Sequence, residues 1–191
     1  MTYYRIKPDL DTYGWFELDY EKMLKTLGRK TFSKFTETDA SIADKWDNFE
    51  ARFEPPDGEV VVSIRPDLTT WGGGCHLVLN EKAFSVLKPL LAPYGEFLSA
   101  PSEGEEYRIF NCRTTKPADD SKSQKKLVDG LQEGLISLDF DPADIADAPV
   151  FKTDFDLFRS LYCDQRFKDL VREHGLTGIE IREDLATSPL Q

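Results

Sequence analysis

The stretch Leu161 to Asp184, LYCDQRFKDLVREHGLTGIEIRED, constrains the fold more than any other. An apolar strand end (Leu161, Tyr162, Cys163) runs into Asp164, whose carboxylate can accept from the orphan N–H groups of a helix start. Phe167, Leu170, Val171 and His174 follow at i, i+3, i+4 and i+7, one face of a helix. Gly175 supplies the left-handed residue that helix ends favour, and Thr177 to Ile181 alternates as a half-buried strand does. The spacing predicts strand, capped helix, glycine, strand.

The same plan is written in Cys75 to Leu98, CHLVLNEKAFSVLKPLLAPYGEFL. Leu77 to Leu79 is the strand, Asn80 the N-cap, and Ala83, Phe84, Leu87, Leu90 and Leu91 the apolar stripe. Gly95, just before Glu96-Phe97-Leu98, is expected to play the part of Gly175, and Pro89 to kink or shorten the helix. Two occurrences fall short of the roughly three repeats that a solenoid needs to bury a continuous core. Two similar packing units in one mixed fold are expected instead, whether duplicated or alike only because such units look alike.

Around these units the chain alternates short apolar runs with turn residues. Thr2 to Lys7 reads as an opening strand closed by Pro8, and Trp15 and Phe16 as core or groove aromatics. Tyr20 to Leu27 reads as a short amphipathic helix between Asp19 and Gly28. Gly28 to Asp44 is polar and weakly periodic, a loop or loose connector, and Trp46, Phe49 and Phe53 suit a brief helix or turn. Pro55-Pro56-Asp57-Gly58 signals a turn and Glu59 to Arg65 a buried β-branched strand. A strand is expected around Tyr107, Ile109 and Cys112, a linker over Lys116 to Lys126, a helical turn or hairpin over Leu127 to Gly134, and a strand over Leu135 to Phe140.

Strands outnumber helices, which predicts an α+β fold, with a mainly antiparallel sheet, two strand–helix–strand units and short amphipathic helices. The expected organisation is an N-terminal region, residues 1–70, packed on an α+β domain of residues 71–185, with 186–191 a tail.

The chemistry the sequence offers is sparse. Gly72-Gly73-Gly74-Cys75-His76 could pair an amide-rich turn with a nucleophilic thiol, the basis of a small hydrolase or transferase. His76 is badly placed to activate Cys75, because adjacent residues of a strand point to opposite faces, and the glycines serve equally as a plain turn. No C-x-x-C or H-x-x-x-H spacing marks a zinc site, and Asp139 to Asp144 echoes a calcium loop that Pro142 and the missing sixth-position glycine spoil. No dinucleotide or P-loop fingerprint occurs, so no cofactor is expected. Three cysteines do not suggest a disulfide framework.

A net charge of −11 disfavours binding to phosphate backbones, which need Lys and Arg, and favours encounter with a basic partner. With 13 Phe, 7 Tyr and 3 Trp the chain has the aromatics for a core. No apolar run reaches the roughly 18 residues that span a bilayer, and the first residues carry no apolar signal core. A cytoplasmic protein without nucleic-acid or membrane partners is expected. Its acids cluster at Glu103, Glu105 and Glu106 and again at Asp139, Asp141 and Asp144, as solvated faces or as a surface for a cation-rich partner. Trp71, ahead of the glycines, is the preferred exposed anchor.

LVLNEKAFSVLKPLL, GEFL, EEYRIFNCRT, ADDSKS, PVFK and the closing LYCDQRFKDLVREHGLTGIEI come in an order that resembles a bacterial immunity-protein family of polymorphic toxin systems, immunity family eleven. The resemblance spans about His76 to Asp184 and is closest at the end, where Cys163-Asp164 precedes the helix and Leu176-Thr177-Gly178 closes it. Members usually carry serine where Cys163 stands, and often an aromatic where Ile181 stands. The resemblance implies a non-enzymatic protein that neutralises a cognate toxin by direct binding, with no catalytic residues to carry over.

Overall fold

The computed structural model describes residues 2–55, 65–145 and 147–186. Most of the turn expected at Pro55 to Gly58, the strand expected at Glu59 to Arg65 except its last residue, and the tail beyond Ala186 lie outside the described residues.

In chain order the strands are β1 (Tyr4–Pro8), β2 (Trp15–Leu18), β3 (Ala51–Glu54), β4 (Leu68–Trp71), β5 (His76–Leu79), β6 (Gly95–Ser99), β7 (Arg108–Cys112), β8 (Gln124–Val128), β9 (Leu131–Ser137), β10 (Val150–Phe151), β11 (Leu161–Cys163) and β12 (Ile179–Arg182). The helices are α1 (Tyr20–Leu27), α2 (Arg29–Glu37), α3 (Glu81–Leu91), α4 (Pro142–Ile145) and α5 (Gln165–Glu173). The fold is α+β with mainly antiparallel sheets. No helix among the described residues is long and apolar enough to cross a membrane.

Two four-stranded sheets, ordered β4-β5-β7-β6 and β10-β11-β1-β12, share one plan. Each strand–helix–strand unit lays its two strands parallel, with one antiparallel strand between them. In the first sheet that strand is β7, which follows the unit. In the second it is β1, delivered from the other end of the chain. The first 70 residues therefore supply β1 and most of β4 to the sheets, and a division at 70/71 falls inside β4.

Side-chain alternation builds the layers. Leu77, Leu79, Phe110 and Cys112 of one sheet and Tyr4, Ile6, Leu161 and Cys163 of the other face a common core with Ala83, Leu87 and Leu91 of α3 and Phe167 and Val171 of α5. The opposite faces are covered separately, by a second core on the β4-β5-β7-β6 sheet and a third on the β10-β11-β1-β12 sheet. Val78, Leu98 and Ile109 pack on Phe16, Met23, Phe35 and Phe49, whereas Phe151 and Tyr162 pack on Leu135, Leu138, Phe140 and Ile145. Strands buried on both faces read as unbroken apolar runs, which is how Val150-Phe151 and Leu161-Tyr162-Cys163 appear.

The helix starts are as expected. Asp164 accepts from the N–H groups of Arg166 at 2.9 Å and Phe167 at 3.2 Å, and Asn80 from Ala83 at 2.9 Å. Gly175 is left-handed at φ 55°, but Gly95 is not its counterpart. Its backbone is extended at φ −176°, and it is glycine because a Cβ there would lie 2.4 Å from the Asn111 carbonyl oxygen and 2.5 Å from the Phe110 ring. Pro89 sits inside α3, which ends two residues later and tightens into a 3-10 turn at Ala92–Tyr94.

Three further stretches differ from expectation or resolve it. Gly28 to Asp44 holds α2, whose Phe35 is fully buried in the second core although the helix has no side-chain cap. Trp46 to Phe53 leaves a 3-10 turn and enters β3, so Phe53 is on a strand. Leu127 to Gly134 is a hairpin, which draws the end of the expected linker into β8. Asp129 and Gly130, at φ 51° and 80°, have the left-handed pair that tight hairpins prefer.

Candidate functional site

Trp71 closes β4, where alternation turns it away from the shared core. It is half-buried, and its ring stacks on Phe35 at 5.6 Å between centroids and on His76 at 5.7 Å. Gly72, Gly73 and Gly74 follow at φ 67°, 75° and 111°, a left-handed run that only glycine adopts without strain. With no side chains there, the turn leaves one wall of a groove bare.

That groove holds about 480 Å³ and is lined by Trp71, the glycine turn, Pro8, Leu10, Trp15 and Tyr20. β2 buries Phe16 and Leu18 and so turns Trp15 and Glu17 outward. Tyr20 opens α1, braced edge-on against Phe32 at 5.1 Å. Trp15 is 49% exposed, Tyr20 56% and Leu10 39%. Three large apolar side chains left exposed around one concavity form the kind of patch that marks an interaction surface. Glu17 lines the groove, and Asp9 and Asp11 line a neighbouring cavity that shares its Pro8, Leu10, Gly73 and Gly74. Trp15 was legible as a core or groove aromatic. Leu10 and Tyr20, in polar surroundings and far from Trp71 in sequence, gave no such signal.

Cys75 is fully buried, and its thiol donates to the Gly72 carbonyl at 3.0 Å. Burial pushes the thiol up to about 11, away from the thiolate a nucleophile needs. His76 is equally buried, with neither ring nitrogen in a hydrogen bond among the described residues. Burial holds its pKa well below the usual imidazole value and the charge of Lys152 adds to that; the nearby Phe35 carbonyl offsets it in part, without the geometry of a hydrogen bond. Lys152, fully buried and 3.5 Å from the Thr38 carbonyl, is itself held below the ordinary lysine value by desolvation.

The two acidic clusters stand apart. Glu103, Glu105 and Glu106 are exposed on the β6–β7 connection beside the second core, and Arg65 pairs with Glu103 and, at 3.3 Å, with Glu105. Glu106 accepts from the Ser99 hydroxyl at 2.7 Å. Asp139, Asp141 and Asp144 edge the third core. Asp139 lies 3.6 Å from Lys122, Asp141 caps α4 through the Ala143 N–H at 2.8 Å, and Asp144 is exposed. Among the described residues no hydrogen bond or ion pair joins the two clusters or ties either to Trp71, and no group of three or more His, Cys, Asp or Glu could hold a metal ion. No protein-family model matches the chain, and no curated protein sequence matches it.

Proposed function

We propose that this protein is an immunity protein that binds and neutralises a cognate protein toxin with a basic surface, in the bacterial cytoplasm and without a reaction of its own. The observation that carries this reading is the groove: Trp15, Tyr20 and Leu10 exposed around half-buried Trp71. Aromatic anchors in a concave apolar patch are what interface hot spots are made of. Glu17 beside them, Asp9 and Asp11 nearby and a net charge of −11 suit a cationic partner, by steering its approach and penalising acidic competitors. The resemblance of residues 76–184 to immunity family eleven supports the same role. The alternative, a small hydrolase or transferase built on Cys75 beside Gly72–Gly74, has the burial of that thiol and of His76 against it.

The test is capture of the product of the neighbouring toxin-like gene, and rescue of cells that express it. Trp15→Ala combined with Tyr20→Ala is expected to weaken binding about 100-fold or more. Unaltered affinity, or no capture by the unmodified protein at micromolar concentration, would sink the proposal.

A further inference from the structure

A charge buried in a protein is ordinarily paired. Arg5, in the middle of β1, is only 2% exposed, yet among the described residues it has no ion pair. Its Nη1 donates to the Ala186 carbonyl at 2.6 Å, while Nε has no partner among the described residues. The register makes matters worse. Arg5 lies directly opposite Arg182 of β12, and like charges so placed destabilise a sheet. Lys7 stands on the same face one pleat along, opposite Glu180, whose carboxylate is engaged by Arg182 at 2.7 Å.

Arg5 and Lys7 line a cavity of about 360 Å³ with buried Ser160 and the backbone of Gly73 and Gly74. The turn rests on the loop that carries Ser160: a Cβ on Gly74 would stand 3.3 Å from the Arg159 carbonyl oxygen. Asp9, Asp11 and Glu180 also line the cavity. Asp9 accepts from the Thr12 N–H at 3.1 Å, Glu180 is held by Arg182, and Asp11 is exposed. These carboxylates repel an extended polyanion. A compact anion that reaches the guanidinium gains a charge-assisted hydrogen bond in a desolvated setting.

We propose that this cavity binds a small oxyanion, a carboxylate or a phosphate, held by Arg5 and Lys7 beside the Gly73–Gly74 turn. This site does not rest on the toxin-binding reading, although its cavity shares Pro8, Leu10, Gly73 and Gly74 with the groove.

The full chain, labelled with nitrogen-15 in a chloride buffer, is titrated separately with inorganic phosphate and with acetate. Saturable shifts at residues 5–7, 73–74 and 160 are expected with at least one of them, and which anion saturates first names the ligand class. Arg5→Gln should abolish the response but removes a buried group, so Lys7→Gln, on an exposed residue, is the deciding variant. It should weaken binding about tenfold with the melting temperature unchanged. Shifts that fail to saturate with both anions, that fall elsewhere, or that persist unaltered in Lys7→Gln would overturn the proposal, whatever the outcome of toxin capture.

Discussion

The imidazole of His76 lies against the ring of Phe35, with centroids 4.1 Å apart and planes 27° from parallel. Through this contact α2, a helix with little intrinsic support, is bound to β5. Phe35 has no exposed surface and also stacks on Trp71, so it forms the floor beneath the groove tryptophan. Phe35→Ala is expected to cost about 3–5 kcal/mol, read as a lower urea midpoint, because a large buried ring is removed where neighbours cannot close the gap.

Burial keeps His76 neutral, and the charge of Lys152 adds to it. Its folded pKa is depressed below the unfolded value of about 6.5, so the unfolded state binds more protons below that pH. The stability this group contributes is whole above pH 6.5 and is lost as the pH falls, by up to about 1.4 kcal/mol per pH unit. Urea midpoints at pH 7.5, 6.5 and 5.5 should therefore fall more steeply for the unmodified protein than for His76→Phe. Parallel curves would show that the imidazole is not buried neutral.

All three cysteines are buried, with Cys75 and Cys112 each pushed up to about 11 by desolvation and Cys163 raised well above its ordinary value. At pH 8 the folded protein should be close to inert to a thiol-specific disulfide reagent, with three thiols reacting in denaturant. Rapid modification of a single thiol in the folded state would return Cys75 to consideration as a nucleophile.

Gly178 is where the two sheets meet. A Cβ there would fall 2.1 Å from Cβ of Pro66 and 2.3 Å from the Leu68 carbonyl oxygen, and its φ is 105°. Gly178→Ala is expected to cost about 3 kcal/mol or more, by backbone strain and steric overlap together. Gly104→Ala, at φ 87° with nothing within 4 Å of the added carbon, should cost only about 1 kcal/mol. Equal midpoints for the two variants would refute the close approach.

The Asp164 cap satisfies two N–H groups from a position only 2% exposed. Asp164→Ala should lower stability by about 1–2 kcal/mol, and Asn80→Ala, with one such bond, by about 1 kcal/mol. Thermal denaturation of both variants checks the order.

Local rules made α3, α5 and their flanking strands readable, since a cap, a 3.6-residue stripe and a stop residue all act within a few positions of the chain. Trp71, expected as an exposed anchor because three glycines follow it, is instead half-buried against Phe35 and His76. α2 was not readable, because its periodic signal is little more than Phe32 and Phe35 and its stability comes from the ring that β5 receives. Gly95 was misread for the complementary reason: its lack of a side chain answers to Phe110 and Asn111 across the sheet, not to a helix end.

By itself the sequence determined the α+β class, the two strand–helix–strand units and their capped helices, all set by contacts between near neighbours. Only the tertiary structure decided that β1 fills the gap between β11 and β12, that Leu10, Trp15, Tyr20 and Trp71 surround one groove, and that Arg5 is buried opposite Arg182. Those placements depend on which distant strands pair and in what register. Pairing is chosen by the burial of whole faces, a quantity that no local window of residues contains.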